Sequence, residues 1–513
     1  MSDFTLEEKL GQMLVVGFQG YQAPPHIIDW LREGRIGGVI LFARNIDTPR
    51  QLRTLTQELR QAARHPILVA IDQEGGTVAR LREGFTESPG AMALGAADDT
   101  RLTSQVSGVL ATEMRAVGVN WNLAPAIDVT HDVRNPSVGT RSLGADPEHV
   151  ARHAMAQIRG FQENGVAATA KHFPGKANTP VDPHVELPMI NGSLDVIWGT
   201  DLVPFRAACD AGVAAVMVTH AQFRDIEPAY PSTMSSRIIQ GLLRERIGFK
   251  GLITTDCMEM KAVTSRYGPD ESAIMAASAG ADTILFSHTR QYQEAAYEAL
   301  LEAARSGRLP LKQVEDSVRR IGEVKARFAT STMLPLTAIR SPMHLKTVER
   351  AARAGTVLLR DEPRVIPLLK KKQYVLIEFV SQLEKKEMTQ GRETAFAAML
   401  SERLPRLRSV WLDSVHPTEE QLRDSDEVAR IAEAVIIATR NAHLNPGQLE
   451  ATERLLGRSG ILVCLRNPYD AVVVSASTTL LTLGDSEPSL HAAADALFGD
   501  YIPTGKLNVS LTI

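Results

Sequence analysis

The sequence predicts an α/β protein, with a (β/α)8 barrel followed by a smaller parallel α/β sandwich domain. Two observations on roughly the first 330 residues lead to this prediction: eight short apolar segments alternate with amphipathic stretches, and polar residues directly follow many of those segments. Continuous apolar strands that alternate with helices indicate a parallel sheet covered on its faces. Eight such units favour a barrel, and a doubly wound sheet is the main alternative.

The predicted elements of the first domain follow one another along the chain. The strands are 14–18, 37–43, 66–72, 120–128, 166–172, 214–220, 250–256 and 281–287. Helical periodicity between them predicts helices that include 49–64, 101–117, 147–164, 201–212, 235–247 and 291–306.

Charged or imidazole side chains end several of these strands. They are Asp72, Asp128, Lys171, His172, His220 and Asp256. In a (β/α)8 barrel the C-terminal strand ends meet at one mouth, where the chemistry is done. Polar residues can also simply mark where a buried strand leaves the core, which explains any one of them but less well their number.

A second α/β region follows a stretch of looser pattern. We expect the barrel domain over residues 1–335, a linker over 336–350 and a sandwich domain over 351–513. The predicted strands of the second domain are 374–379, 409–413, 434–439, 461–465 and 480–484.

Composition excludes several classes of protein. The 513 residues include 56 basic and 60 acidic ones, so there is no electrostatic case for nucleic acid binding. No apolar stretch of about 18 residues predicts a membrane span, and no signal peptide is recognised, so we expect a cytoplasmic protein. The three cysteines are widely spaced, which argues against a disulfide framework or a zinc site.

The segment 171–188, "KHFPGKANTPVDPHVELP", predicts a loop because of its prolines and glycine. Its Asp182-Pro183-His184 pair suits proton transfer, since a carboxylate orients an imidazole and stabilises its protonated form. A polar surface loop explains the pair equally well. A metal site ranks behind both, because no recognised ligand spacing is present.

Three further segments hold candidate residues. Asp256 in "GLITTDCMEM" suits a nucleophile, a metal ligand or a helix cap. Asp72 and Glu74 precede Gly75-Gly76, a turn that can aim an acidic group inward. Arg141 could bind a carboxylate or sugar hydroxyls, or it could stabilise its own loop.

Taken in order, these motifs resemble the bacterial β-N-acetylglucosaminidases of glycoside hydrolase family 3. The similar segments are "GGVILFARNI", "IDQEGG", "GTRSLGADPEHV", "KHFPG" followed by "DPH", "GLITTDCMEM" and, near the C-terminus, "HAAADALFGDYIPTGKLNVSL". The "KHFPG" motif with its Asp-x-His pair is the specific part, since it separates this subgroup from the family's glucosidases and xylosidases.

The resemblance implies a role for each matching residue. Asp256 would be the nucleophile and His184 the general acid/base, with Asp182 as its partner. The residues that would bind the terminal sugar are Asp72, Arg80, Arg141, Lys171 and His172. The implied reaction is retaining hydrolysis of terminal β-linked N-acetylglucosamine, without metal or cofactor, on carbohydrates such as cell-wall muropeptide fragments.

The chain departs from the subgroup at a few positions. Lys176-Ala177 stands where His-Gly is common, Pro183 replaces a frequent serine, and Thr77 follows the glycine pair. In the second domain Glu487 is the nearest candidate for an acid/base, but the Asp-x-His pair makes it unnecessary. The alternatives are a β-glucosidase or β-xylosidase, an N-acetylglucosamine phosphorylase and a non-catalytic sugar-binding protein.

Overall fold

The computed structural model describes residues 4–176, 179, 181, 185–380, 393–457 and 460–511. Its strands, numbered in chain order, are β1 (Leu14–Val16), β2 (Gly38–Leu41), β3 (Leu68–Ile71), β4 (Trp121–Asn122), β5 (Thr169–Phe173), β6 (Met189–Ile190), β7 (Ala215–Val218), β8 (Gln222–Phe223), β9 (Leu252–Cys257), β10 (Thr283–Phe286), β11 (Val357–Asp361), β12 (Tyr374–Val380), β13 (Arg408–Asp413), β14 (Ala434–Thr439), β15 (Ile461–Cys464) and β16 (Thr478–Leu481).

Eight parallel strands form the predicted barrel. Their order is β4-β3-β2-β1-β10-β9-β7-β5, and isolated parallel bridges from Trp121 to Ala167 and from Ala126 to Lys171 join the two ends. Each of the eight predicted strands is present, so the barrel prediction is confirmed. The fourth is much shorter than the predicted 120–128, and Pro125 inside that range has no backbone N–H to donate to a ladder.

Helices cover the outside of the barrel and both faces of the second sheet. They are α1 (Leu6–Gln12), α2 (Pro25–Glu33), α3 (Pro49–Ala62), α4 (Ala91–Ala97), α5 (Thr100–Ala116), α6 (Pro147–Glu163), α7 (Leu194–Gly199), α8 (Leu202–Asp210), α9 (Lys261–Thr264), α10 (Pro269–Ala279), α11 (Arg290–Arg305), α12 (Leu311–Phe328), α13 (Pro342–Gly355), α14 (Ala395–Ser401), α15 (Glu419–Ile431), α16 (Pro446–Leu456), α17 (Asp470–Val473) and α18 (Glu487–Leu497).

Local sequence explains where the predicted helices begin. The side chains of Thr48, Asp99 and Asp146 accept hydrogen bonds from backbone N–H groups in the first turns of α3, α5 and α6. Proline occupies an early position of α3 and of α6, where its missing N–H costs nothing. The helix predicted over 235–247 is a π-helix, Arg237–Arg246.

The second sheet is mixed, which corrects the prediction of a parallel one. Its order is β11-β16-β15-β14-β12-β13, and β11 runs antiparallel to β16 while the other pairs are parallel. The sequence prediction missed β11 because only one of its five residues is fully buried, so it lacks a continuous apolar run.

Residues 336–350, the predicted linker, contain a 3-10 turn at Leu336–Ala338 and the first part of α13. The domain boundaries themselves stay predictions. Among the described residues, no helix is both long enough and apolar enough to cross a membrane.

Candidate active site

A cavity of about 320 Å³ opens at the C-terminal ends of the barrel strands. Its lining is rich in charged and imidazole side chains: Asp72, Glu74, Arg80, Arg141, Lys171, His172, Lys176, Asp256, Glu259, Lys261 and His288. The barrel therefore brings together residues of five separate sequence segments, and all predicted site residues that lie in the described part of the chain are among them.

Asp256 ends β9 and faces this cavity. Its Oδ1 accepts a hydrogen bond of 2.8 Å from the backbone N–H of Cys257. Burial raises the pKa of Asp256, but neighbouring basic groups, His220 foremost, outweigh burial and leave the pKa below its usual range. Asp256 is therefore an ionised carboxylate at neutral pH, with the partly exposed side chain that a nucleophile or a ligand would need.

Lys171 is the centre of a buried ion-pair network. Its Nζ lies 2.8 Å from Oδ1 of Asp72 and 2.6 Å from Oε1 of Glu74. Burial lowers the pKa of Lys171, but the two carboxylates outweigh it and raise the pKa above its usual value. Lys171 thus stays protonated, and its ammonium holds two acidic side chains at the wall of the cavity.

Arg141 donates two parallel hydrogen bonds to Glu74, the carboxylate that Lys171 also contacts. Its Nε and Nη2 lie 2.8 Å and 2.7 Å from the two oxygens of Glu74. Burial raises the pKa of Glu74, but Arg141 and then Lys171 outweigh it and hold the pKa well below its usual range. Glu74 was noted beside Asp72 in the sequence, but its role as the bridge between Lys171 and Arg141 was not predicted.

The two glycines after Glu74 allow the chain to turn here. Gly75 and Gly76 have φ angles of 91° and 58°, a region that side chains rarely adopt. A Cβ on Gly76 would lie 2.9 Å from Cα of Gly90. The turn leads to Arg80, whose Nη2 lies 3.7 Å from Oδ2 of Asp72.

His172 points one nitrogen at a buried carboxylate. Its Nδ1 lies 2.7 Å from Oδ2 of Asp128, and its Nε2 lies 3.4 Å from Nη2 of Arg141. Burial, reinforced by Lys176 and Arg141, keeps the pKa of His172 well below its usual value. A neutral imidazole that donates from Nδ1 to Asp128 leaves Nε2 as an acceptor toward the cavity.

Sequence reasoning noted Asp128 only as the end of a strand. It accepts from His172 with one oxygen and from the backbone N–H of Lys176 at 2.9 Å with the other. Asp128 therefore fixes both the imidazole and the start of the loop after β5. The signal available in the sequence was its position at a strand end, the same signal that Asp72 and Asp256 carry.

Lys176 directly follows the "KHFPG" motif, at the position noted in the sequence as a departure, and its side chain lines the cavity. Burial, together with the charge of Arg141, lowers the pKa of Lys176 to about 8. It was predicted as a departure in the loop and not as a residue of the site.

The predicted acid/base pair, Asp182 and His184, lies outside the described residues. Glu487, the other acid/base considered, does not line the cavity. Its carboxylate pairs with Arg340 at 3.1 Å.

Comparisons with known proteins agree with this geometry. Residues 5–324 match the family described as "Glycosyl hydrolase family 3 N terminal domain". A "Beta-hexosaminidase" of Stenotrophomonas maltophilia (strain R551-3) is 36% identical over 289 residues, which cover 55% of this chain and 85% of the relative. "Beta-hexosaminidase A" of Pseudoalteromonas piscicida is 29% identical over 421 residues, covering 71% and 70%.

Solved structures extend the similarity to the whole chain. The structure of a glycoside hydrolase family 3 β-N-acetylglucosaminidase from Paenibacillus sp. str. FPU-7 superposes with a TM-score of 0.93 at 35% identity, covering 99% of both chains. The family model, the relatives and the shared fold agree with the motifs on which the sequence resemblance rests. The chain therefore belongs to glycoside hydrolase family 3 and is a carbohydrate-cleaving enzyme of that family.

Proposed function

We propose that this chain is an exo-acting, retaining β-N-acetylglucosaminidase. The observation that carries the proposal is a carboxylate, Asp256, in a cavity whose wall is a network of charged, hydrogen-bonding groups. The relatives named β-hexosaminidase and β-N-acetylglucosaminidase, at 36% and 35% identity, support the choice of N-acetylglucosamine as the terminal sugar.

The size of the cavity supports action on chain ends. At about 320 Å³ it lies at the small end of ligand pockets, which span roughly 300–1,000 Å³. That volume suits one sugar ring and its N-acetyl group. A polysaccharide chain running through the site would need an open cleft.

Hydroxyl groups of the sugar would bind to the charged wall. Asp72 offers carboxylate oxygens as acceptors, while Lys171, Arg141 and Arg80 offer N–H donors. Neutral His172 would accept from a hydroxyl with its Nε2. Because Lys171 and Glu74 hold each other in place, these groups are oriented before the sugar arrives, and less binding energy is lost in ordering them.

The proposed reaction has two steps. Asp256 attacks the anomeric carbon while the glycosidic C–O bond breaks, and protonated His184 gives its proton to the departing oxygen. Neutral His184 then takes a proton from water, whose oxygen attacks the anomeric carbon and releases Asp256. Asp182 would orient the imidazole throughout. Both assignments on this loop come from its resemblance to the family motif.

Trapping the nucleophile tests the proposal. A 5-fluoro derivative of an activated β-N-acetylglucosaminide should accumulate as a glycosyl–enzyme, and mass spectrometry of peptides should locate the sugar on Asp256. Asp256→Asn should abolish labelling and turnover, whereas Asp270→Asn, an exposed carboxylate on α10, should change neither. Labelling of another carboxylate would refute the assignment.

Cell-wall fragments are the natural substrates we propose, that is, N-acetylglucosamine joined to N-acetylmuramic acid or its anhydro form. A panel of aryl β-glycosides and one such disaccharide tests this. Faster turnover of aryl β-glucoside or β-xyloside than of aryl β-N-acetylglucosaminide would instead favour the glucosidase or xylosidase alternative.

Lys176 supports a second candidate, in which phosphate replaces water as the acceptor. Its ammonium adds a positive charge to the cavity near Asp256, and a histidine acid/base adds no negative charge that would repel phosphate. Phosphate oxygen would then attack the anomeric carbon and form the sugar 1-phosphate. Product analysis with and without phosphate separates the two reactions.

A further inference from the structure

Two histidines and an aspartate converge away from the catalytic cavity, where α4 ends and α6 begins. His149 and His153 are four residues apart on α6 and therefore lie on one face of it. Asp98 directly follows α4 in a left-handed conformation, with φ 47°. One ligand atom from each of the three residues lies within 4.8 Å of the others.

The distances within this cluster match those of a zinc site. Oδ1 of Asp98 lies 3.4 Å from Nδ1 of His149 and 3.5 Å from Nε2 of His153. Zinc binds nitrogen and oxygen ligands tetrahedrally at about 2.0–2.2 Å, which places neighbouring ligand atoms about 3.4 Å apart. The carboxylate oxygen of Asp98 therefore already stands, relative to each imidazole, at the spacing that a shared cation would impose.

Thr103 contacts Nδ1 of His153, while Nε2 of the same ring is the nitrogen near Asp98. The Thr103 hydroxyl lies 3.0 Å from the carbonyl oxygen of Asp99 and 2.9 Å from Nδ1 of His153. When the hydroxyl donates to this carbonyl, it accepts from Nδ1–H of His153, and Nε2 then holds a lone pair that can bind a cation.

That lone pair faces a carboxylate. Nε2 of His153 is buried and has no hydrogen-bond partner among the described residues, and its 3.5 Å separation from Asp98 is longer than a normal hydrogen bond. Two electron-rich atoms face each other favourably only with a proton or a cation between them.

Nδ1 of His149 also faces the carboxylate of Asp98. Nη2 of Arg152 lies 3.2 Å from this nitrogen and 3.3 Å from Oδ1 of Asp98, so the guanidinium stands beside two of the three ligand atoms. The Arg152 side chain is 50% exposed and can turn into solvent. Nδ2 of Asn508 lies 2.7 Å from Nε2 of His149 and 3.1 Å from its Nδ1, so this amide contacts both ring nitrogens and orients the imidazole.

We propose that Asp98, His149 and His153 bind a zinc-type divalent cation, with water as the fourth ligand and Arg152 displaced. Two imidazoles favour zinc, cobalt or nickel over magnesium and calcium. The cation would tie the end of α4 to α6 and, through the contact of His149 with Asn508, to the C-terminal segment. This structural site is separate from the glycosidase reaction, and it departs from the expectation of a metal-free protein drawn from the sequence.

Metal titration of the full chain tests this site. Metal-free protein should bind one equivalent of Zn²⁺ in competition with a chromophoric chelator, and Co²⁺ should give the visible absorption of a tetrahedral complex. The thermal midpoint should rise by several degrees with Zn²⁺. Turnover of an aryl glycoside substrate should not depend on the metal.

Matched variants locate the binding. Asp98→Asn should weaken Zn²⁺ binding by at least about 10–100-fold, the usual cost of changing a residue that only orients a metal ligand. Arg152→Gln should tighten it, because a competing charge is removed, and a gain in affinity cannot arise from misfolding. Asp29→Asn, an exposed carboxylate on α2, should bind like the unaltered protein.

Three results would overturn the proposal. The first is the absence of a stoichiometric Zn²⁺ site, and the second is unchanged Zn²⁺ affinity in both Asp98→Asn and Arg152→Gln. The third is loss of Zn²⁺ binding in His184→Gln, which would place the metal on the catalytic loop. Because Asp98 and Arg152 are exposed, both variants should fold even if substitution of the buried His153 prevents folding.

Discussion

His172 and Asp128 form a buried hydrogen-bonded pair in which Nδ1 of the imidazole lies 2.7 Å from Oδ2 of the carboxylate. The same carboxylate accepts from the backbone of Lys176 and so joins the end of β5 to the loop that follows. Asp128 is thus a positioning residue: it sets the tautomer that His172 presents to the cavity, and it holds the base of the loop.

Asp128→Asn should lower kcat/KM on an aryl β-N-acetylglucosaminide about 10–100-fold, since a hydrogen bond to a charged group contributes about 1.5–3 kcal/mol. The loss should appear mainly in KM, because His172 is proposed to bind the sugar and not to react. A purely structural role would instead lower the thermal midpoint and leave the KM of the folded fraction unchanged.

Lys171→Met should destabilise the protein by about 3–5 kcal/mol, the usual cost of removing one partner from a buried ion pair. The variant leaves Asp72 and Glu74 without their shared ammonium. The midpoint of urea unfolding measures the change. Lys250→Met, at an exposed position, is the control. Unchanged stability in Lys171→Met would show that the network contributes no net free energy.

The His184→Ala variant should separate the two steps by leaving group. With an activated aryl leaving group little acid help is needed, so formation of the glycosyl–enzyme should stay fast while its hydrolysis becomes limiting. A burst of released phenol followed by slow turnover is the expected trace. Equal losses on activated and unactivated substrates would argue against an acid/base role for His184.

Lys176→Met should stabilise the protein near pH 7. The pKa of Lys176, about 8 when folded against 10.5 as the usual value, means that folding disfavours the ammonium. In the unaltered protein the full free-energy cost of burying the ammonium applies below pH 8. Between pH 8 and 10.5 the folded chain has lost this proton while the unfolded chain still holds it, so the cost disappears as the pH rises. The free energy of unfolding of the variant should exceed that of the unaltered protein by about 3 kcal/mol at neutral pH, and this difference should decrease between pH 8 and 10.5.

Thermal midpoints of the two proteins between pH 7 and 10.5 measure this difference. If Lys176 also recruits phosphate, the more stable variant should lose phosphate-dependent turnover and keep hydrolysis. A stability difference that stays constant with pH would contradict the lowered pKa of Lys176.

The eight barrel strands and their helices could be predicted because their signals are local. Apolar runs, capping residues and turn residues act within a few positions, and the motifs "IDQEGG", "KHFPG" and "GLITTDCMEM" kept their order along the strands. Strand β11 could not be predicted, since its residues are mostly half-buried and its antiparallel partner β16 lies more than a hundred residues away.

The sequence by itself determined the fold class, the family and six of the charged or imidazole residues that line the cavity, several of which follow strands whose ends must meet at one mouth of a parallel barrel. Only the tertiary structure decided which of them touch. Glu74 meets Arg141 across 67 positions and Lys171 meets Asp72 across 99, and no local pattern encodes such distances. The same holds for Asp98 beside His149 and His153, since closure of the barrel brings α4 against α6 and thereby creates the spacing between their side chains.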